Sequence, residues 1–383
     1  MKKITIVSFI AFVACLFGLR NTSVFAKNYD ATNKIVTIDE KADDSVQPNI
    51  LYGRGMVTNH TTNEFNGRMY ATFENYVSGV PYFKIYESTD HGNSWNHISN
   101  VKDQVNGWGL RYQPFLYELP ETLGDLPKGT LICAGNSIPK DLSKTKIDLY
   151  KSLDHGRTWD YLSTIDEGGK AVPDQIDATP VWEPFLAMID HQLVCYYSDE
   201  RDPAHSQKLI HKVSKNGIDW GNQVEDVVFS AKKARPGMVT VAKMKNGKYI
   251  MTYEVVGNGA HYSNYKLSED AIHWNPEDEG IKFADGGSPY VTVLADGTIV
   301  ANTANSPLYL NKNNGEGKWE TLQIPMPGAY SRSLTALPNN QLLIVSGGSY
   351  AHQTEHVDNI ATSMVFTIPK NNAFQLTNNF IIK

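Results

Sequence analysis

The sequence predicts an all-β fold, a six-bladed β-propeller whose ring is closed by its own N- and C-terminal strands. Three observations predict it: a short motif recurring at blade spacing, a longer pattern recurring six times, and no sustained 3.6-residue apolar periodicity.

The short motif is read four times, as STDHGNSW (Ser88 to Trp95), SLDHGRTW (Ser152 to Trp159), SKNGIDW (Ser214 to Trp220) and SEDAIHW (Ser268 to Trp274). Successive copies of its tryptophan lie about 60 residues apart, too far for stacked helix pairs and suited to a four-stranded sheet per repeat. Asp or Asn hydrogen-bonds nearby amides, Gly accepts a positive φ, and the Trp buries a large ring. Such boxes are expected on outer hairpin turns, remote from chemistry.

The longer pattern is a polar residue, often followed by Pro, then an apolar strand, a turn and a second apolar strand. Its copies start at Arg54, Gln113, Glu183, Arg235, Ser288 and Arg332. Asn-Gly, Asp-Gly and Asn-Asn between the paired strands are hairpin residues. Spreading residues 27–383 over six copies leaves roughly 60 each, right for a blade. A ring needs closing, because open sheet edges leave backbone groups unpaired. KIVTIDE near the N-terminus is expected beside ATSMVFTIP near the C-terminus, completing the last blade.

Innermost strands of a propeller run side by side around the axis, so matching positions converge on one mouth of the channel. The six starting residues should ring that mouth. Glu74, Asn136, Asp199, Glu254 and Asn302, at the ends of the second strands, should lie on or near the same face.

Composition bounds the rest. The 383 residues are 41% apolar and 20% charged, with no Pro-rich, Gly/Ser-rich or charge-block linker, so residues 27–383 read as one domain. Lys2 and Lys3, the apolar run from Ile4 to Leu19 and Ser23-Val24-Phe25-Ala26 read as a signal peptide over 1–26. A soluble, monomeric, secreted product starting at Lys27 is expected. Loss of Lys2, Lys3 and Arg20 moves the formal charge from −6 to −9, which argues against nucleic acid and membrane partners. Cys133 and Cys195 sit close to one repeat apart in strand-like runs and are expected as free buried thiols in neighbouring blades. His352 and His356 of HQTEH read as loop histidines, and neither metal nor cofactor is expected.

Glycoside hydrolysis needs one carboxyl group to protonate the leaving oxygen and another to attack the anomeric carbon or activate water. Glu183, between Trp182 and Phe185, and Glu254, at the end of KYIMTYE, are the candidates. The apolar setting of Glu183 suits an acid/base role. Glu74 and Asp199 are the rival carboxylates.

RYQPFLYELP, PVWEPF, YYSDERDPAHSQKLIH, ARPGMVTV followed by NGKYIMTYE, and GGSPYV resemble glycoside hydrolase family 93, the secreted exo-α-1,5-L-arabinanases. The resemblance runs from Arg54 to Arg332. It implies a sialidase-like six-bladed propeller and a retaining hydrolase that releases arabinobiose from the non-reducing ends of linear α-1,5-L-arabinan of plant cell walls. The family's catalytic glutamates match Glu183, as acid/base, and Glu254, as nucleophile. Arg54, Arg235 and Arg332 would then bond sugar hydroxyls beside Gln113 and Asp199. Trp108 and Tyr290, with Tyr112 and Trp182, would offer faces to the sugar rings. Loops around Gly107 to Tyr112 and Asp199 to Lys208 are candidates for blocking one end of a groove. Two rival readings share the architecture. A sialidase would use the three arginines and Tyr330, but GRGMV stands where sialidases carry Arg-Ile-Pro. A non-catalytic carbohydrate-binding propeller would not need both glutamates.

Overall fold

Each copy of the longer pattern opens one four-stranded antiparallel sheet in the computed structural model, which describes residues 33–40, 44–62, 64–173, 177–257, 259–350 and 359–369. Residues 1–26, expected to be a signal peptide, and His352 and His356 lie outside the described residues.

In chain order, blade 1 is Ser45–Val57, Met69–Val77, Phe83–Ser88 and Asn96–Val101; blade 2 is Leu110–Glu118, Leu131–Ser137, Thr145–Ser152 and Asp160–Gly168. Blade 3 is Val181–Ile189, Gln192–Asp199, Lys208–Ser214 and Val224–Val227; blade 4 is Arg235–Lys243, Tyr249–Gly257, Ala260–Ser268 and Ile281–Asp285. Blade 5 is Tyr290–Val293, Ile299–Asn302, Leu308–Asn311 and Glu320–Leu322. Blade 6 takes Ser333–Leu337, Gln341–Ser346 and Ala361–Thr367 from the C-terminal part and its outermost strand, Val36–Asp39, from the N-terminal part. Val36 pairs with Ser363 and Thr37 with Thr362, so the ring closes as expected. Cys133 and Cys195 are free, buried, and on the second strands of blades 2 and 3.

The tryptophan-ended boxes form the turns between third and fourth strands. In blade 1 the Ser88 hydroxyl donates to Asp90 and accepts from Gly92 N at 2.8 Å, while Asp90 accepts from Ser94. Blade 2 repeats this with Ser152, Asp154, Gly156 and Thr158. A fifth, degenerate copy escapes the motif because Asn replaces the leading Ser: Asn311 Oδ1 accepts from Asn313 N and Gly315 N, and Trp319 follows. The box tryptophans also join blades, donating to Ser363 from Trp95, to Ser99 from Trp159 and to Ser163 from Trp220. Each of those serines belongs to the preceding blade of the ring.

One irregularity repeats around the axis. Tyr52, Gln113, Glu183, Met238, Ser288 and Ser331 all occupy the left-handed region, at φ between 53° and 64°. In blades 1 to 4 these residues are β-bulges: the register jumps from Leu51 to Arg54, Tyr112 to Phe115, Trp182 to Phe185 and Gly237 to Thr240. Pro114, Pro184 and Pro289 each follow a left-handed residue, where no ladder amide is needed.

Candidate active site

The bulges define the structural alignment at the upper mouth, and it differs from the sequence alignment in three blades. Gln113, Glu183 and Ser288 occupy the bulge as aligned. Arg54 lies two residues past its blade's bulge at Tyr52, Arg235 three before Met238, and Arg332 one past Ser331. The physical reason is that Pro marks the second bulge position in only three blades, so matching on a polar residue slips in the others.

A left-handed non-glycine residue costs roughly 1–2 kcal/mol, so something must hold each one. Carboxylates and an amide of the preceding blade hold four of the six. Glu74 accepts from Gln113 N at 2.9 Å, Gln113 Oε1 from Glu183 N at 3.1 Å, Glu183 Oε2 from Met238 N at 2.6 Å, and Glu254 Oε2 from Ser288 N at 2.7 Å. Four consecutive bulge amides are thus captured, three of them by glutamates.

Glu183 and Glu254 meet across Gly237. A Cβ placed on Gly237 would lie 3.3 Å from Glu183 Oε2 and 3.5 Å from Glu254 Oε1, so those two oxygens can be no further apart than the two distances laid end to end. Gly287 is equally constrained, since a Cβ there would overlap Glu254 Oε2 and approach His261 Nε2 to 3.2 Å. Blades 1, 2, 3 and 6 carry Leu51, Tyr112, Trp182 and Tyr330 at the place of these two glycines. The mouth is therefore open over blades 4 and 5 and walled elsewhere. Tyr76, Tyr112 and Trp182 line one part of the wall, with ring centroids 5.9 and 6.4 Å apart, and Tyr52, Tyr330 and Tyr350 another, at 6.0 and 5.2 Å.

Both carboxyls are pushed up, for partly different reasons. Burial raises Glu254 to about 7, helped by the charge of Glu183 and opposed by the Ser288 amide and Arg235. Burial also raises Glu183, opposed by hydrogen bonds from Ser198 Oγ, at 2.7 Å, and from Met238 N. Two donors on one oxygen favour its charged form. Glu183 is buried, whereas Glu254 is partly exposed and open to the mouth.

The remaining site residues have diverse placements. Arg235 is clamped by both oxygens of Glu200, at 3.0 and 2.8 Å, and by Gln207 Oε1 at 2.7 Å. Trp182 Nε1 binds the same Glu200 at 2.7 Å. Arg54 donates to Ser331 O and Oγ and stacks on Tyr52 with its guanidinium carbon 3.8 Å from the ring centroid. Arg332 is wholly buried and faces backbone carbonyls, Asn305 O at 2.6 Å and Pro327 O at 2.9 Å among them; burial lowers it to about 10. Its work is to brace two loops, in place of the expected sugar contact. Tyr290 is buried below the mouth against Phe185 and does not offer a free face. Trp108 stands over Lys146 of the third strand of blade 2, the cation 5.6 Å from its ring centroid. Asp199 pairs with Arg201 at 2.8 Å, and Arg201 with Asp166 of blade 2. Alternation explains it: Ser198, not Asp199, occupies the strand place of Glu74 and Glu254, so the neighbouring Asp199 points to the other face.

The sequence reading missed Glu200, Gln207 and Ser198, which hold the named groups, and Gly237 and Gly287, which make room for them. A Gly directly ahead of the polar start in GGSPYV was an available signal for Gly287. Asp199–Lys208 borders a cavity of about 470 Å³ beside Glu200, lined also by Asp177 and Lys232. A second cavity, of about 530 Å³, occupies the lower half of the channel beneath Phe115, Phe185 and Tyr290. No cluster of three or more His, Cys, Asp or Glu side chains suited to a metal is found among the described residues.

No protein-family model and no curated protein matches the chain. Solved structures do. An α-L-arabinanase of Penicillium chrysogenum, complexed with arabinobiose, is 38% identical, with TM-score 0.78 over 87% of this chain and 97% of that one. The GH93 α-L-arabinofuranosidase of Fusarium graminearum, also with arabinobiose, is 37% identical, with TM-score 0.79 and the same coverages. The NanB sialidase of Streptococcus pneumoniae, 11% identical with TM-score 0.54 over 86% of this chain and 70% of that one, shares the fold alone. The three arginines required by a sialidase reading are committed to Ser331, to Glu200 with Gln207, and to carbonyls.

Proposed function

The chain belongs to glycoside hydrolase family 93, and on that premise we propose that it is an exo-acting, retaining arabinanase that releases arabinobiose from the non-reducing end of linear α-1,5-L-arabinan. The observation that carries the proposal is the Glu183–Glu254 pair, whose facing carboxyl oxygens lie 3.3 and 3.5 Å from one point above Gly237. Retaining enzymes hold such groups roughly 5 Å apart, and inverting ones about 6.5–9.5 Å.

Hydrogen bonding supports roles opposite to those implied by the resemblance. Glu183 accepts two donors on one oxygen and is the better anion, so it attacks the anomeric carbon and displaces the glycosidic oxygen. Glu254, pushed up to about 7 and sensing the charge of Glu183, holds the proton that the leaving oxygen takes. Water, deprotonated by the same Glu254, then cleaves the glycosyl ester with a second inversion. Tyrosines walling the mouth on blades 1, 2 and 6 support exo action, since they oppose a chain passing straight through.

Linear arabinan, analysed by chromatography and NMR during turnover, is expected to yield a disaccharide with the anomeric configuration of the substrate. Alanine variants separate the two roles. Glu254→Ala should retain turnover of aryl glycosides with good leaving groups and give with azide a product of retained configuration, whereas Glu183→Ala should lose that turnover and give with azide only the inverted product. Rescue of Glu183→Ala with an azide product that keeps the anomeric configuration of the substrate would reverse the assignment. We also propose export, with N-terminal sequencing of protein from the medium expected to begin at Lys27.

A further inference from the structure

Glu74 has a place in blade 1 equivalent to that of Glu254 in blade 4. It pairs with Leu51 ahead of the bulge as Glu254 pairs with Gly237, and blade 4 lies opposite blade 1 in a ring of six. Its Oε1 accepts from Gln113 N at 2.9 Å, Oε2 accepts from Tyr76 Oη at 2.8 Å, and Gln113 passes the contact on to Glu183 N at 3.1 Å.

A charge at this position is not needed to brace a bulge. Asn136 fills the same place in blade 2 and, uncharged, donates to Val181 O at 2.8 Å, while the next bulge amide, Glu183 N, is held by the neutral Gln113. Burying a carboxylate without a cation bound to it is costly, and Glu74 is 2% exposed while the nearby Arg54 is bonded to Ser331. The cost needs a reason beyond folding.

We propose that Glu74 is a positioning residue for Glu183, acting through Gln113 on the backbone that aims Glu183. The proposal rests on Glu183 being one of the reacting pair. Glu74 faces Arg54, Tyr76 and Glu183. Glu183 in turn faces Arg235 and Glu200, while Tyr52 and Tyr330 both feel the charges of Glu74 and Glu183. Burial raises Glu74 to about 7 and the charge of Glu183 adds to the rise, so Glu74 ionises after Glu183.

Steady-state kinetics on a chromogenic arabinobioside across pH tests this. Glu74→Gln keeps shape and removes the carboxylate that accepts from Gln113 N; kcat should fall about tenfold with KM within about twofold and the limb set by Glu183 in place. Gln113→Asn keeps a residue tolerant of the left-handed region but leaves the amide one methylene short of Glu183 N. It should reproduce the fall in kcat without moving the limb. The double variant should be little slower than the slower single, because both act along one chain of contacts. A wild-type kcat in Glu74→Gln would overturn the proposal, as would multiplicative losses in the double variant or a loss carried by KM with kcat unchanged. Glu183→Ala is assayed in parallel: its inactivity shows that any such failure belongs to Glu74, and its activity would remove the premise itself.

Discussion

At the outer rim, Gly92, Gly156, Gly217 and Ala271 turn the chain at φ of 84°, 83°, 74° and 62°; at the inner mouth, Tyr52, Gln113, Glu183, Met238, Ser288 and Ser331 do so at 53° to 64°. Both regions repeat a left-handed residue, but only the rim repeats its side chains. A box closes its hydrogen bonds within a few residues, Ser88 to Gly92 and Asp90 to Ser94, so each copy needs the same letters. Four of the six bulges at the mouth are held from the preceding blade, by Glu74, Gln113, Glu183 and Glu254. A bulge residue's own side chain is not needed for its own turn and can differ in every blade. Backbone symmetry with side-chain asymmetry brings two carboxyls together over blades 4 and 5 and aromatic rings over the others.

The widest separation of the two regions comes from paired substitutions. Gly237→Ala adds one methyl between Glu183 and Glu254 and within 2.7 Å of Gln207 Nε2, at a φ outside the left-handed region. It should lower kcat/KM on arabinan about 10³-fold with a small change in Tm, because misplacing reacting groups by an ångström forfeits their alignment. Trp159→Ala, at the rim, is the reverse case. It removes a ring that is 6% exposed and the bond from Nε1 to Ser99, and should cost about 3 kcal/mol of stability while the folded fraction keeps its kcat/KM. Calorimetry alongside kinetics checks both. A Gly237→Ala enzyme with near-normal turnover would mean that the space above Gly237 is not where the sugar reacts.

Legibility in the sequence follows the same division. The boxes, the blade count and the closing strand were readable because local hydrogen bonding and strand periodicity are written in neighbouring letters. Glu183 and Gln113 were readable because Pro follows them at the bulge. Arg54, Arg235 and Arg332 were misaligned because the bulge residues of their blades are Tyr52, Met238 and Ser331, which share no chemistry. Asp199 lost its place to Ser198 through a single step of strand alternation. Glu200 and Gln207 clamp Arg235 from a loop whose path no periodicity describes. Tertiary capture of one blade by its neighbour leaves no local trace.

The smallest effect is the sharpest test of whether rim and mouth are independent. Blade 4 carries the box in which Ala271 stands at φ 62° where the first three boxes carry Gly. Its backbone makes the usual contacts, accepting from Trp274 Nε1 at 3.0 Å and donating to Ser268 Oγ at 3.0 Å, and Gly would preserve both. Relief of the left-handed alanine, roughly 1–2 kcal/mol, is offset by the greater freedom of Gly in the unfolded chain, about 0.4–1 kcal/mol. Ala271→Gly should therefore stabilise the protein by about 0.5 kcal/mol, measured as a shift of the denaturant midpoint at unchanged slope. Because blade 4 also carries Glu254 and Gly237, kcat/KM is the second readout. If rim turns only fold and mouth bulges only position, turnover stays the same; a changed kcat would show that the rim of blade 4 sets the aim of Glu254.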